Sequence, residues 1–160
     1  RIASIALVHE TLAHEAGKDV PLVGVVDDLV KMFCDSVRAP ERPISVEVTG
    51  DPGIVPAELV TPLAVVLNEL LQNTVDHASS DGEIEVEVGL HRIGIELVVA
   101  VNDNGPGLPD GFDVEQATGL GLSIVRALVG SDLGGRIEMR SRDDGEGSVA
   151  EIIVPIKRPT

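Results

Sequence analysis

The sequence predicts an α+β fold, a two-layer α/β sandwich in which helices cover one face of a mixed, mostly antiparallel β-sheet. Hydrophobic residues make up 43% of the 160 positions, which is enough for one domain with its own core. Segments with alternating apolar residues and segments with helical spacing both occur, and they do not alternate strictly along the chain. Because the chain has two Phe and no Trp or Tyr, the core has to consist of Val, Leu, Ile and Ala.

Apolar residues at helical spacing mark four helices. The first covers residues 1–12, and since no capping residue precedes it, we interpret it as part of a helix of a longer protein. The second runs from Pro21 to about Val37. The third covers residues 57–77, with Pro62 marking a break or a first turn near its start. The fourth runs from residue 121 to about 129.

Alternating apolar residues predict five strands, at residues 44–48, 84–90, 95–101, 136–141 and 148–156. Glu83, Glu85 and Glu87 leave one face of the second strand in water, whereas the third strand is more fully buried. A short turn at residues 91–94 joins these two strands as a hairpin, and the last two strands form another antiparallel pair. Residues 50–56 are predicted to be a turn region, and residues 103–118 a loop rich in Gly, Pro and Asp.

The net charge of −15, from 27 acidic and 12 basic residues, limits the possible partners. Such a surface repels nucleic acid and anionic lipid, so neither is an expected partner. A polyphosphate could bind only through a metal ion, helix N-termini and backbone amides. Cys34 is the single cysteine and no apolar run approaches the ~20 residues of a membrane span. These features favour a cytoplasmic protein.

The third helix carries Glu69, Asn73, Asp76 and His77 on one polar face, since these residues are spaced three and four apart. A solvated helix face is the usual explanation of such a stripe. Asn is, however, a poor helix former, and it stands here among good packing residues. A carboxylate one turn from an amide also suits Mg²⁺, which takes oxygen ligands and few of them from the protein. Both interpretations remain open from the helix alone.

Two glycine motifs follow the buried strands. Residues 103–107 read Asp-Asn-Gly-Pro-Gly, a turn that brings backbone close to a ligand beside one fixed carboxylate. Residues 119–122 read Gly-Leu-Gly-Leu and lead directly into a helix, whose free N–H groups form an anion site. Neither a Walker-type phosphate loop nor a dinucleotide-binding fingerprint occurs in the sequence.

Taken together, these segments resemble the boxes of the GHKL ATPases. Residues 67–78 (LNELLQNTVDHA) resemble the N box, residues 103–107 the G1 box, Phe112 a short F box and residues 119–122 the G2 box. Four boxes in order are far more specific than any one of them, and the resemblance covers about residues 19–157. It implies the Bergerat fold of that family, which has a helical layer on a mixed sheet.

The resemblance also implies a role for each matching residue. Asn73 is expected to coordinate Mg²⁺, and Glu69 to polarise the attacking nucleophile as a base. Asp103 is expected to receive the adenine amino group of ATP, supported by Ser148. Gly105 and Gly107 are expected to admit the purine to the backbone. The remaining implied nucleotide-binding residues, nearer the phosphates, are Asp76, His77, Gly119, Leu120, Gly121 and Leu122. Residues 107–119 correspond to the ATP lid, a mobile loop that orders over the nucleotide.

The leading segment, residues 1–12, is similar to the second dimerisation helix of sensor kinases in the HWE-like HisKA subfamily. Residues 1–18 are then the truncated end of that helix with its linker, and residues 19–160 the catalytic ATP-binding domain. The resemblance implies a homodimeric parent that phosphorylates its own His, absent from this chain, and passes the phosphate to an Asp of a response-regulator receiver domain. His9 and His14 each precede an acid, but helix can run only to about Gly17, so neither is expected to be the acceptor.

Two other functions stay open at this stage. One is a serine kinase of the same superfamily that acts on an anti-anti-sigma partner, since its N box is nearly indistinguishable. The other is a non-enzymatic nucleotide-binding or dimerisation module. The leading half-helix favours the histidine kinase over the serine kinase.

Overall fold

The structure of the chain is a computed structural model that describes residues 19–37, 43–78, 82–117, 119–143 and 146–156. The predicted leading helix, together with His9 and His14, lies outside these residues. In chain order the elements are β1 (Asp19–Pro21), α1 (Leu22–Val37), β2 (Ile44–Thr49), β3 (Ile54–Pro56), α2 (Ala57–Asp76), β4 (Ile84–Ile93), β5 (Glu96–Asp103), a 3₁₀ turn (Val114–Gln116), α3 (Leu120–Gly130), β6 (Arg136–Ser141) and β7 (Ser148–Pro155).

Five of the strands form one sheet in the order β2-β4-β5-β7-β6. The pair β2–β4 is parallel and the other three pairs are antiparallel, which confirms the predicted mixed, mostly antiparallel sheet. Period-two alternation gives the sheet two different faces. Glu85 and Glu87 point to water, whereas Val86, Val88 and Leu90 belong to the core.

The helices pack on the apolar face of the sheet, as the sequence predicts. The core that they share with it is almost entirely aliphatic, and Phe33 is its one fully buried aromatic residue among those described. The residues with the least exposure include Leu29 of α1, Leu70 and Leu71 of α2, and Leu97 of β5. Burial of each such side chain stabilises the fold by roughly 1.5–3 kcal/mol before entropy is counted.

The segment before α2 differs from the prediction. Pro21 does not begin a helix but ends β1, and the predicted turn region at residues 50–56 contains β3. These strands pair antiparallel, with Val20 opposite Val55. Strands of three residues are too short to show an alternating pattern, so no periodicity indicates them. The fully buried side chain of Val55 shows that the pairing closes the core beneath the helices.

Two other boundaries are corrected by the structure. Pro62 causes no break, because α2 is continuous over Ala57–Asp76 and a proline this close to the helix start removes only one interior hydrogen bond. The hairpin turn consists of Gly94 and Ile95 alone, since Ile93 pairs with Glu96. Gly94 has φ +61°, a value that suits a two-residue hairpin turn. Ile95, predicted to begin a strand, is 61% exposed in that turn.

The fold brings four chain segments to one edge of the sheet. β5 ends there at Asp103 and β7 begins there at Ser148, while the C-terminal end of α2 and the N-terminal end of α3 lie above them. These are the segments that carry the predicted motifs. In the described part of the chain, none of the helices has the length and apolar character needed to cross a bilayer.

Candidate functional site

Two adjoining cavities open between the sheet edge and the ends of α2 and α3. The first, of about 310 Å³, lies at the strand ends, and the second, of about 490 Å³, lies beside the start of α3. Asn73, His77, Phe112 and Leu122 line both cavities, so the two form one continuous groove. A groove with one end at a sheet edge and the other at a helix N-terminus suits an elongated ligand with chemically different ends.

The carboxylate of Asp103 is fixed at the floor of the first cavity. The Ser148 hydroxyl donates to its Oδ2 at 2.7 Å, and the Gly105 N–H donates to its Oδ1 at 2.9 Å. The Ser148 N–H also donates to Oδ1, at 3.3 Å. These three donors hold the carboxylate in one orientation while it still lines the cavity. Hydrogen bonds to an ionised acceptor are the stronger kind, so this arrangement is rigid.

Glycines shape the wall next to Asp103. Gly107 has φ +83°, and a Cβ there would lie 3.2 Å from Ser141 Oγ and 3.3 Å from the Gly147 carbonyl oxygen. The following residue, Leu108, donates its N–H to the same Ser141 hydroxyl at 3.0 Å. The turn after β5 is therefore packed directly onto the β6–β7 hairpin. Gly107 is needed here both for its backbone conformation and for its lack of a side chain.

The polar face of α2 points into the second cavity rather than into bulk solvent. Glu69 is only 8% exposed, so the alternative of an ordinary solvated face is wrong at this position. Asn73 is half-buried, and it lines both cavities one turn further along the helix. Asp76 accepts a hydrogen bond from the Gln72 side chain at 2.9 Å and is exposed at the rim. His77 is the residue that follows the helix, and it lines the groove from there.

The N-terminal turn of α3 lies against Glu69, and both line the second cavity. Gly119 caps the helix in an extended conformation, and a Cβ on it would meet nothing within 4 Å. A Cβ on Gly121, by contrast, would lie 2.8 Å from Glu69 Oε2. The first amides of a helix carry free N–H groups and a partial positive charge. Glu69 and this turn therefore lie side by side in the wall of the second cavity.

The loop between the two glycine motifs is partly structured. A 3₁₀ turn covers Val114–Gln116, with Asp113 as its cap accepting from the Glu115 N–H at 3.0 Å. Before it, Phe112 lines both cavities, and its N–H donates to the Pro109 carbonyl at 3.1 Å. The predicted lid thus consists of an open first half and a folded second half.

Most of the predicted site residues meet in this groove. Those that line it are Glu69, Asn73, Asp76, His77, Asp103, Gly107, Gly119, Gly121, Leu122 and Ser148. Gly105 does not line either cavity, and it contributes through its bond to Asp103. Leu120 begins α3, and its side chain lies outside what the structure describes.

The sequence missed several lining residues. Thr74, Leu108, Pro109 and Met139 line the first cavity, and Gln116 and Ala117 line the second. Thr74 lies one turn before His77 on the helix, and this spacing could have indicated it. Met139 is on β6, far from the motifs in sequence, and no local pattern indicates that it reaches the groove.

The fold and the groove define a domain in which a helical layer covers one face of a mixed sheet and an elongated groove opens at the strand ends. The profile of the family described as "Histidine kinase-, DNA gyrase B-, and HSP90-like ATPase" matches residues 58–158. That match covers more than half of the chain, including α2, both glycine motifs and the last two strands. The chain belongs to this ATPase family, which binds ATP.

The relatives are sensor histidine kinases. The chain is 37% identical over 160 residues to the sensor histidine kinase PdtaS of Mycobacterium tuberculosis, and 38% identical over 161 residues to PdtaS of Mycolicibacterium smegmatis. Each alignment covers 99% of this chain and 32% of the relative, so the chain spans about a third of these proteins. The sequence resemblance to sensor kinases is confirmed, and the histidine kinase type is favoured over the serine kinase alternative.

Solved structures confirm the fold. The histidine kinase domain of a blue-light-activated histidine kinase from Erythrobacter litoralis superposes with a TM-score of 0.80. The match covers 97% of this chain and 72% of that one, at 22% sequence identity. At this identity the likeness establishes the architecture alone.

Proposed function

We propose that the groove binds Mg-ATP and that the chain is the catalytic half of a sensor kinase that phosphorylates a histidine of its own parent protein. The observation that carries the proposal is the continuity of the two cavities. A fixed carboxylate at the sheet edge and a helix N-terminus lie at opposite ends of one groove, with Asn73 and His77 between them. ATP has the matching pair of ends, an amino-bearing purine and a triphosphate.

The first cavity suits the adenine. Asp103 presents a carboxylate that accepts a hydrogen bond from an exocyclic amino group, and its orientation is set by Ser148 and Gly105. Leu108, Phe112 and Met139 line the same cavity with apolar surface, which suits the faces of a flat ring. The lack of a side chain at Gly107 keeps the backbone turn close to the floor.

The second cavity suits the triphosphate. With a net charge of −15 the chain has to hold phosphate by local means, and the amides of residues 119–122 at the start of α3 supply them. The open space in front of Gly119 leaves room for an anion against these amides. His77 and Asp76 stand at the opposite rim.

The donor set also fits Mg²⁺. Asn73 offers an amide oxygen in the half-buried part of the groove, one turn from the Glu69 carboxylate. No group of three or more His, Cys, Asp or Glu side chains arranged for a metal exists among the described residues. A site of few protein ligands is what Mg²⁺ uses when phosphates and water complete its coordination. When bound, the ion neutralises charge on the phosphates.

Glu69 is proposed as the base. Its carboxylate lies between α2 and the first turn of α3, at the phosphate end of the groove. There it accepts a hydrogen bond from the incoming imidazole, which orients the ring nitrogen toward the γ-phosphorus. A new N–P bond forms as the bond from phosphorus to the β,γ-bridging oxygen breaks, the other ring nitrogen passes its proton to Glu69, and ADP leaves. The protein's contribution is positioning and electrostatic stabilisation, with no covalent intermediate on this chain.

We extend the proposal to the parent protein because of the chain's likeness to these relatives. Residues 1–18 belong to the dimerisation domain and its linker, and residues 19–160 to the catalytic domain. The acceptor His belongs to the dimerisation domain of a homodimer. The phosphate then passes to an Asp of a response-regulator receiver domain, in the cytoplasm.

Calorimetric titration with Mg-ATP tests the nucleotide site. We expect the unchanged chain to bind, and Asn73→Ala to weaken binding at least about tenfold, because a ligand of the bound ion is lost. Asn102→Ala, which removes a half-buried amide from the opposite face of the sheet, is the matched control and should bind normally. Equal binding by Asn73→Ala and the control would show that the site is wrongly placed.

Incubation with γ-labelled ATP tests the kinase assignment. The chain alone should remain unlabelled, whereas a mixture with the histidine-bearing domain of its parent should yield acid-labile, base-stable label on that domain. Acid-labile, base-stable label on the chain itself would contradict the assignment of the acceptor, and acid-stable label on a serine would favour the serine kinase.

A further inference from the structure

Arg126 joins α3 to the folded half of the loop that covers the groove. Its Nη1 donates to the Val114 carbonyl oxygen at 2.7 Å and to the Ala117 carbonyl oxygen at 2.8 Å. Both bonds are partly buried, and their acceptors are the carbonyls of the first residue of the 3₁₀ turn and of the residue that follows it. Hydrogen bonds of this length from a charged donor belong to the stronger class.

The position of Arg126 on the helix explains why it reaches the loop. It lies seven residues after Gly119, which is about 10 Å along the helix axis. Helical side chains lean toward the N-terminus, so the guanidinium extends back toward the segment that precedes the helix. The second glycine motif therefore lies within a stretch of chain whose two ends, Ala117 and Arg126, are bonded to each other.

The two halves of the loop are held very differently. In the second half, Val114 is 9% exposed and belongs to the core, and the 3₁₀ turn has its own bonds from Gln116 and Ala117. In the first half, residues 109–111 are exposed, and Gly111 has φ +76° with open space around it. Exposure and few bonds mark the segment that opens at low cost in free energy.

We propose that Arg126 is a positioning residue for the phosphate end of the groove. It fixes Ala117, and with it the start of α3, so that the amides of residues 119–122 keep their direction whether or not nucleotide is bound. Only residues 109–112, between Leu108 bonded to Ser141 and Asp113 bonded to the 3₁₀ turn, then move as a lid. This inference rests on the proposed nucleotide site, and it differs from the expectation that the whole segment from 107 to 119 is mobile.

A selective loss of phosphate binding follows from this arrangement. Arg126 contacts neither Asp103 nor the apolar wall of the first cavity, so removing it leaves the purine end intact. The loss of two hydrogen bonds that orient the amides weakens their hold on the β- and γ-phosphates. Adenosine monophosphate, which lacks these phosphates, should be almost unaffected.

The test compares Arg126→Met, Arg126→Lys and a charge-matched control, Arg140→Met, which removes an exposed Arg from β6. We expect Arg126→Met to weaken Mg-ATP binding about tenfold in calorimetry, with Arg126→Lys in between, because a lysine keeps the charge but not the planar fork. Binding of adenosine monophosphate, followed by NMR titration, should change less than about twofold. Arg140→Met should match the unchanged chain for both ligands.

Amide hydrogen exchange supplies a readout that does not depend on nucleotide. In Arg126→Met the amides of residues 116–122 should exchange faster, while those of β5 and β7 stay protected. Unchanged hydrogen exchange together with unchanged Mg-ATP affinity would overturn the inference. An equal loss of affinity for Mg-ATP and for adenosine monophosphate would also overturn it, because it would indicate general damage to the groove. If the unchanged chain fails to bind Mg-ATP, the proposed function fails, and hydrogen exchange still decides whether Arg126 holds the loop.

Discussion

The substitution Gly121→Ala is expected to displace the Glu69 carboxylate without lowering the stability of the domain. The residue lies in the first turn of α3 with an ordinary helical conformation, so alanine fits its backbone. An added Cβ would, however, lie 2.8 Å from Glu69 Oε2 and 3.8 Å from its carboxyl carbon. Since carbon and oxygen atoms do not approach so closely without bonding, the carboxylate has to move away from the helix.

The size of the effect follows from these distances. Ordinary contact begins at 3.4 Å, so the Oε2 atom has to shift by about 0.6 Å from its 2.8 Å position. Misplacement of a reacting group by about 1 Å costs on the order of 100-fold in rate, so we expect a loss of about tenfold, or about 1.4 kcal/mol of transition-state stabilisation. Replacing a helical Gly with Ala raises the free energy of unfolding by up to about 1 kcal/mol, which offsets the strain of the shift.

Gly130→Ala is the matched control, because Gly130 is in the same helix and a Cβ there would meet nothing within 4 Å. Single-turnover phosphotransfer from Mg-ATP, measured in the full-length protein, gives the rate, and urea denaturation of this chain gives the stability. Gly121→Ala should be slow and stable, and Gly130→Ala fast and stable. Equal phosphotransfer rates for the two variants would refute the placement of Glu69 as the base. If Gly121→Ala lost stability in proportion to its loss of rate, the slower rate would result from disturbed packing and not from the displaced carboxylate.

Two further substitutions test the floor of the groove. Ser148→Ala removes the 2.7 Å bond to Asp103, and the loss of about 1 kcal/mol should weaken nucleotide binding about fivefold in calorimetry. Ser148→Thr keeps a hydroxyl and should bind normally. Equal affinity of the unchanged chain and both variants would show that Asp103 needs no support from Ser148. Gly147→Ala places a Cβ against the Asp103 carbonyl oxygen at φ +125°, and it should lower the free energy of unfolding by more than about 3 kcal/mol in urea denaturation. Gly53→Ala, with φ +76° but open space, should cost only about 1 kcal/mol, and similar losses for the two glycines would contradict the close approach.

The long elements were predictable because their patterns repeat. α2 carries apolar residues at helical spacing over 20 residues, and buried and exposed residues alternate in the first half of β4. Each pattern therefore identifies the buried face of the element in the sequence. The three-residue strands β1 and β3 have no room for a repeat, and they exist because Val20 and Val55 are buried when they pair. The C-terminal end of β4 was not predictable, because the position of the turn at Gly94 is known only from the pairing of Ile93 with Glu96.

The candidate site was predictable where its residues belong to continuous sequence motifs. It was not predictable where it depends on contacts between segments that are distant in the chain. Asn73, Asp103 and three motif glycines each have a local sequence context, and the structure brings them to one groove; the glycines are Gly107, Gly119 and Gly121. Met139 and the bonds of Arg126 have no such context, since their partners are distant in sequence or in an irregular loop. Their roles arise from the packing of α3 and β6 around that loop.

By itself the sequence determined the fold class, the core-forming residues and the two glycine motifs, because periodicity and backbone conformation are properties of short segments. Only the tertiary structure decided that Glu69 is buried beside Gly121, that Ser148 and Gly105 orient the Asp103 carboxylate, and that Arg126 bonds the carbonyls of Val114 and Ala117. The physical reason is that each of these depends on distances between segments that are far apart in the chain. Such distances are set when the helices pack on the sheet, and no local pattern encodes them.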